Sequence, residues 1–247
     1  MEVTFVTAFI DLQEEREKRH TPISRFNFFD ELSSTGIHIH LFLSESYREL
    51  YDKMIGPRKN IYLEYIELDE LTTYTDLSGL SYTLPLSDSP MKDTAHYHII
   101  NNAKIELVER AIKMDVFSTD TYAWIDFSIG HMFQKPSETL NYIKSIKNTC
   151  NLDTLYFPGC WKPYQGVPEL FSKVSWRFCG SFFIGGKTAL LDFHRNYRIE
   201  FRKIVKKYGI LPWEVNIWHY METKDLFRPV WYLADHNDSV VRFSFAR

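Results

Sequence analysis

The sequence predicts an α/β protein in which a mainly parallel central sheet is flanked by helices, as in Rossmann-like folds. The first observation is that β-branched and aromatic runs at 3–10, 37–43 and 61–66 alternate with segments of helical periodicity. Such alternation favours parallel strands joined by right-handed crossovers. The second observation is that no linker rich in Gly, Ser or Pro divides the 247 residues, so we expect one domain over 1–247.

The first half of the chain is predicted to hold three strands. The run at 3–10 is apolar on both faces, which favours a central position in the sheet. We expect the charged segment 11–24 to be an exposed loop and the apolar spacing at 25–32 to form a short helix. The segment 73–93 lacks periodicity, and in a compact domain a loop of about twenty residues is commonly either functional or disordered.

The second half is predicted to begin with a long helix over 95–114, whose apolar positions share one side. A short aromatic run at 123–127 without helical period reads as a buried strand. Further strands are expected at 155–157 and 174–178. Two more helices should follow, one over 187–208 that ends at Gly209 and one that starts near Pro212.

Asp126 lies at the far end of the strand predicted at 123–127. In open α/β sheets ligands bind outside the carboxyl ends of the strands, so an acid there can meet a ligand or a metal ion. The alternative is that Asp126 caps the turn after the strand, which is a common role of Asp. The sequence supports both interpretations.

Composition argues against several classes of protein. The chain carries 29 basic and 32 acidic residues without a long block of either sign, so we expect no nucleic-acid partner. Three cysteines, Cys150, Cys160 and Cys179, form no metal-like pair, and their odd number fits a reducing cytoplasm. No signal peptide is evident, and no apolar run approaches the roughly 20 residues that span a bilayer. We expect a cytoplasmic protein that could associate peripherally with the inner face of the membrane.

Four segments in order carry a resemblance to a known family. They are FVTAFID at 5–11, YAWIDF at 122–127, RFCGSFFIGG at 177–186 and PWEVNIW at 212–218. Together they resemble the HtrL/YibB-like family, which is related to glycosyltransferases of the GT-A fold. The resemblance implies an enzyme of surface-polysaccharide synthesis that moves a sugar from a nucleotide-diphosphate donor, with a UDP-sugar favoured, to a glycan or lipid-linked acceptor.

The resemblance also implies a metal site. GT-A enzymes commonly bind Mn²⁺ or Mg²⁺ through an Asp-X-Asp motif, and such hard cations suit carboxylate and phosphate oxygens. Here the motif reads Asp126-Phe127-Ser128, in which Ser128 is a neutral and weaker ligand. His131 or His236 could compensate, and the predicted ligands are Asp126, Ser128 and His236. For both histidines, a surface or hydrogen-bonded imidazole is the alternative.

Further site residues follow from the same resemblance. Glu214 is predicted to be catalytic together with Asp126, although an acid in the first turn of a helix is also favoured by the helix dipole. The predicted substrate-binding residues include a lysine that would reach phosphate, glycines under the sugar and aromatic faces for its C–H groups. They are Thr7, Ala8, Asp11, Lys104, Gly180, Ser181, Gly185, Gly186, Trp213 and Asn216, with Trp161 as a further aromatic candidate.

Each of these residues has a structural alternative. Lys104 could extend over an apolar face, the glycines could form a tight bend, and Asn216 could lie on a helix face. Two functional alternatives also stand. The missing second Asp is compatible with a GT-A-like module that binds nucleotide or glycan without catalysis. A nucleotidylyltransferase has a related sheet, but the segment 11–16 lacks the glycines that such an enzyme normally needs after its first strand.

Overall fold

A seven-stranded sheet forms the centre of the computed structural model, which describes residues 2–12, 20–88, 93–146, 153–164 and 171–243. The strand order is β3-β2-β1-β4-β6-β5-β7. Only β6 is antiparallel to its neighbours β4 and β5, so the other six described strands run in one direction. The strands are β1 (Val3–Phe9), β2 (His38–Leu43), β3 (Ile61–Tyr65), β4 (Thr121–Ile125), β5 (Leu155–Gly159), β6 (Phe182–Gly186) and β7 (Val230–Leu233).

Helices cover both faces of this sheet, which confirms the predicted Rossmann-like α/β architecture with a mainly parallel central sheet. One face packs against α5, α7 and α8, where residues such as Leu107, Phe193 and Trp218 are buried. The other packs against α1, α2 and α6 through residues such as Phe29 and Ile143. The helices are α1 (Pro22–Ser33), α2 (Arg48–Met54), α3 (Thr72–Thr75), α4 (Ala95–Asn102), α5 (Lys104–Met114), α6 (Pro136–Ser145), α7 (Lys187–Tyr208) and α8 (Glu214–Thr223).

The sheet has a reversal of strand order between β1 and β4. From β1 the chain builds outward through β2 to β3 and then returns to the other side of β1 as β4. Crevices at such switch points, outside the carboxyl ends of the strands, are where open α/β sheets bind ligands. Asp126 directly follows β4, so the fold places it at this edge. Half of the predicted loop 11–24, residues 13–19, lies outside the described residues, and its last part begins α1.

The predicted helix over 95–114 is in fact two helices, because it is interrupted at Ala103. Beside the interruption, the Asn102 amide donates to Pro212 O at 2.9 Å and accepts from the Tyr197 hydroxyl at 2.5 Å. These contacts come from distant parts of the chain, so apolar periodicity could not predict them. The segment 73–93 contains the short α3, and residues 89–92 lie outside the described part.

The prediction of a strand at 174–178 is wrong, because Ser175 and Arg177 direct polar groups to α8, although Trp176 O accepts from Cys160 N just after β5. Ser175 N donates to the Asn216 side chain of α8 at 2.7 Å. The buried Arg177 guanidinium binds Glu222 through two bonds of 2.8 and 2.6 Å. The strand is β6 instead, a few residues later. None of the described helices combines the length and the hydrophobicity needed to cross a membrane.

Gly185 and Gly186 lie at the end of the strands that is opposite to Asp126. Gly186 pairs with Thr121, the first residue of β4, whereas Asp126 follows the last. A Cβ on Gly185 would lie 2.5 Å from Leu155 Cδ2 and 2.9 Å from Thr154 O, so this glycine permits close packing of β5 on β6. The prediction that both glycines lie under a donor sugar is therefore corrected: the antiparallel course of β6 carries them away from the site.

We expect Gly185→Ala to lower the free energy of unfolding by about 1–3 kcal/mol, because the added methyl group must displace the Leu155 side chain and the Thr154 carbonyl. Denaturant unfolding would measure this loss. Gly130→Ala is the matched control, since its Cβ would approach only the Phe28 side chain, at 3.1 Å. Equal losses in the two variants would contradict the close packing inferred for Gly185.

Candidate active site

A cavity of about 640 Å³ opens at the carboxyl end of β4. Its walls come from the end of β4, from the segment before β6 and from the first turns of α5 and α8. Ile125 pairs with Phe182, so the antiparallel course of β6 brings Gly180 and Ser181 beside Asp126. Predicted residues on the wall are Lys104, Asp126, Gly180, Ser181, Trp213, Glu214 and His236, and unpredicted ones include Asp88, Asp93, Tyr97, Lys173, Trp176 and Cys179.

The Lys104 ammonium group holds one side of this cavity together. Its Nζ donates to Gly180 O at 2.8 Å and to Glu214 Oε1 at 2.9 Å, and it lies 3.5 Å from Asp126 Oδ1. The lysine and Glu214 side chains are 7% and 5% exposed, so solvent screens this pair weakly. The structure thus directs the lysine, predicted to reach a phosphate, toward two carboxylates of the protein.

Lys104 remains charged despite its burial. Burial by itself would lower the pKa of this amine, but the negative charges of Asp126 and Glu214 outweigh it, and the pKa of Lys104 lies above its ordinary value. One buried cation therefore balances two carboxylates. Asp126 Oδ1 also accepts from Trp124 Nε1 at 2.8 Å, which orients the acid at the end of β4.

Gly180 has to be a glycine for this arrangement to form. A Cβ at this position would lie 2.2 Å from Glu214 Oε1 and 3.3 Å from Lys104 Nζ. The absence of a side chain thus lets α8 bring Glu214 against the backbone of the segment before β6. In the structure, the space at Gly180 is filled by the protein's own carboxylate.

Three buried polar atoms on the cavity wall have no hydrogen-bond partner among the described residues: Glu214 Oε2, Asp93 Oδ1 and Ser181 Oγ. The three residues are 4%, 8% and 8% exposed. Each buried polar atom left unpaired costs about 1–3 kcal/mol, so a cavity lined by three of them suits a bound molecule that supplies hydrogen bonds. The other oxygen of Asp93 accepts from the Ser87 hydroxyl. Asp93 was not predicted as a site residue, although it closes the aperiodic segment 73–93, which the sequence marked as either functional or disordered.

The residues predicted to contact the nucleotide lie along the end of β1. Thr7 is fully buried within the strand, and Ala8 is half-buried. Asp11 N donates to Ser44 Oγ at 2.9 Å, and its carboxylate accepts from Ser46 Oγ at 3.1 Å. None of the three lines the cavity, but β1 is the parallel neighbour of β4, so they share its edge of the sheet.

The predicted metal ligands are only partly brought together. Asp126 and His236 both line the cavity. Ser128 does not: its side chain is buried and accepts from Arg25 Nη1 at 3.2 Å, a cationic partner that disfavours metal binding by the same oxygen. His131 lies with its ring centroid 6.0 Å from that of His236. In the described ranges, no group of three His, Cys, Asp or Glu side chains is arranged to hold a metal ion.

Two further candidates have roles in packing. Asn216 is fully buried, and its amide donates to Lys173 O at 2.7 Å while its carbonyl accepts from Ser175 N at 2.7 Å. It therefore holds the loop that forms one cavity wall, which corrects the prediction of contact with a sugar hydroxyl. Trp161 is exposed away from the cavity lining, and its carbonyl accepts from Arg177. Trp213 does line the cavity, with its ring centroid 4.4 Å from that of His98.

We expect Lys104→Met to lower the free energy of unfolding at pH 7 by about 3–5 kcal/mol, because it leaves two carboxylates without their buried cation. Adding Glu214→Gln should restore part of this loss. Denaturant unfolding would measure both changes.

The control is Lys187→Met, which breaks an ion pair with Asp120 at 3.0 Å whose side chains are 36% and 37% exposed. Exposed pairs contribute about 0–1 kcal/mol, so this variant should lose little. A Lys104→Met loss no larger than that of the control, or no recovery on adding Glu214→Gln, would contradict the role given to Lys104.

Comparisons with known proteins give similarity at the level of the fold. No family model and no curated protein matches the chain, so the HtrL/YibB-like resemblance gains no support from them.

Several solved structures are similar in fold, including the following three. A glycosyltransferase involved in the glycosylation of the major capsid of PBCV-1 is 12% identical with a TM-score of 0.45, over 95% of this chain and 82% of that chain. Mouse xyloside xylosyltransferase 1 is 9% identical with a TM-score of 0.48, over 95% and 86%. A 4-diphosphocytidyl-2C-methyl-D-erythritol synthase from Anaerococcus prevotii DSM 20548 is 7% identical with a TM-score of 0.45, over 98% and 92%. Because each TM-score is below 0.5, the function of this chain has to be inferred from its own site.

Proposed function

We propose that this protein is a glycosyltransferase that moves a sugar from a nucleotide-diphosphate donor to a glycan or lipid-linked acceptor. The observation that supports it is the arrangement of two acids on one cavity. Glu214 is buried and held by Lys104 through one oxygen, while its other oxygen has no partner among the described residues. Asp126 lies on the same wall, directly after β4 at the switch point of the sheet.

The proposed role of Glu214 is that of a general base. Sugar transfer breaks the bond between the anomeric carbon and the diphosphate and forms a bond to an acceptor hydroxyl, through an oxocarbenium-like state. The hydroxyl must lose a proton as it attacks, and Glu214 Oε2 is an available acceptor on the cavity wall. Lys104 fixes the other oxygen, so the carboxylate is oriented before the acceptor arrives.

The donor would bind across the ends of β1 and β4. In this proposal, its nucleotide, with uridine favoured by the family resemblance, lies near Ala8 and Asp11, and its diphosphate lies near Asp126. Magnesium in nucleotide sites is commonly held by one or two carboxylates together with phosphates, so Asp126 would supply the protein's carboxylate, and His236 would be a further ligand on the same cavity. Mn²⁺ or Mg²⁺ bound there would neutralise the charge of the leaving diphosphate.

The acceptor side of the cavity suits a hydroxyl-rich ligand. Ionised carboxylates only accept hydrogen bonds, so Asp93 Oδ1 and Glu214 Oε2 call for a ligand that donates them. Trp176 and Trp213 line the same cavity and offer apolar ring faces to the C–H groups of a sugar. A glycan acceptor has both properties, and surface polysaccharide is the acceptor class that the family resemblance favours.

A second candidate is a module that binds nucleotide sugar without turnover. Ser128 stands where a second metal-binding acid is common in GT-A enzymes, and it is occupied by Arg25. Glu214 Oε2, which has no partner among the described residues, would serve either as the base of an enzyme or as a hydrogen-bond acceptor in a binding module. A measurement of sugar-donor turnover distinguishes the enzyme from the binding module.

We expect Glu214→Gln to lower the rate of UDP-sugar turnover by about 10²–10⁴-fold, the usual contribution of a general base, while donor binding persists. Asp126→Asn should instead remove the part of the thermal shift by UDP-sugar that depends on Mn²⁺. A thermal-shift screen of UDP-sugars with and without Mn²⁺, followed by assays of UDP release, would measure both.

The matched control for these variants is Asp192→Asn, which alters an exposed acid of α7 that pairs with Arg195 at 2.8 Å. It should leave both readouts unchanged. Donor binding without turnover in the wild-type protein would favour the binding module, and an unchanged thermal shift in Asp126→Asn would remove Asp126 from the donor site.

We expect Asp93→Asn to weaken use of the acceptor by about 10–100-fold, the loss that follows when a hydrogen bond to a charged group is removed. Donor hydrolysis should not change, because Asp93 lies on the acceptor side. The measurement is the ratio of sugar transfer to hydrolysis with a panel of methyl glycosides. Asp88→Asn is the control, since Asp88 lines the same cavity but is exposed. A parallel loss of transfer and hydrolysis in Asp93→Asn would contradict this assignment.

A further inference from the structure

Two cysteine side chains meet beside the cavity. Cys160 directly follows β5, and Cys179 directly precedes Gly180, yet their Sγ atoms lie 3.3 Å apart. The backbone holds the two segments side by side, since Cys179 N donates to Pro158 O at 2.9 Å and Cys160 N donates to Trp176 O at 3.2 Å. Both thiols are free in this structure.

We propose that Cys160 and Cys179 are a site of reversible disulfide formation, with a small-molecule or protein disulfide as the oxidant. The two thiols together lose two electrons and two protons and form one S–S bond. The oxidant, for example oxidised glutathione, gains them and leaves as two thiols, through a mixed disulfide on one cysteine that the other cysteine resolves. Cys160 is half-buried and Cys179 is buried, so the incoming disulfide reaches Cys160 more easily.

The position of the pair gives the bridge a consequence for the cavity. Cys179 itself lines the cavity, and so do Lys173 and Trp176 on the chain between the two cysteines. In the reduced protein, this wall is held to β5 by backbone hydrogen bonds. The disulfide would add a covalent link between the wall and the central sheet, next to the Gly180 carbonyl that binds Lys104.

The environment of the two thiols also differs from that of catalytic cysteines. Burial raises the pKa of the Cys179 thiol well above its usual range and raises the pKa of Cys160 as well, with Asp235 adding to both shifts. A thiol with a raised pKa is a weak nucleophile at neutral pH. A pair of such thiols in contact therefore suits a slow, structural bridge rather than turnover of a substrate.

The experiment treats the folded full-length protein with oxidised glutathione at pH 8.5, where the thiolate fraction is larger, and then alkylates the remaining thiols. Intact mass and peptide mapping should show a Cys160–Cys179 bridge within one chain and an alkylated Cys150. Cys150→Ser is the matched control and should still form the bridge, whereas Cys160→Ser and Cys179→Ser should not. Three alkylated cysteines, or bridges that contain Cys150, would overturn the proposal.

The bridge should also change stability. A disulfide that closes a loop of this length raises the melting temperature of a chain of this size by about 6–12 °C. The shift should be absent in Cys179→Ser and should reverse with a phosphine reductant. A bridge that forms without a change in melting temperature would overturn the inference that it fixes the cavity wall. Because these measurements need no sugar donor, they test the disulfide independently of the proposed transferase activity.

Discussion

The ammonium group of Lys104 joins the parts of the chain that form the candidate site. It begins α5, and its partners are the first residue of α8, the acid after β4 and a carbonyl of the segment before β6. The buried Glu214 carboxylate and the Asp126 carboxylate, which is 38% exposed, would repel each other without a cation between them. The lysine therefore makes the pair of acids compatible with the fold, and its contacts fix where one wall of the cavity lies.

The antiparallel course of β6 is the second condition for the site. If β6 ran parallel to β4, its amino end would lie at the far edge of the sheet, and Gly180 could not reach Asp126. The reversal also explains why the two ends of one glycine-flanked segment serve different purposes. Gly180 admits the Glu214 carboxylate, whereas Gly185 admits the Leu155 side chain of β5. Two glycines of one short segment are thus required by contacts with two different neighbours.

Sequence periodicity predicted the strands of the parallel half and the position of Asp126, because both depend on local patterns that burial imposes. The partners of Lys104 could not be predicted in this way, since they lie 22 to 110 positions away in the chain. The segment 174–178 has the composition of a strand, but Arg177 and Ser175 find their partners on α8. The sequence shows that the segment 73–93, which contains Asp93, lacks periodicity. It does not show which residue of this segment faces the cavity, because that depends on tertiary packing.

The proposed donor and acceptor regions differ in the regularity of their backbone. In the proposal, the donor would lie across the ends of β1 and β4, whose register is set by a ladder of parallel pairs and leaves little freedom. The acceptor would lie against the irregular segments 86–88 and 173–181, held by side chains such as Asn216. Irregular segments tolerate substitution better than paired strands. Donor chemistry should therefore be the fixed property of such a site and acceptor choice the variable one, and a covalent link at Cys160 and Cys179 would act on the variable side.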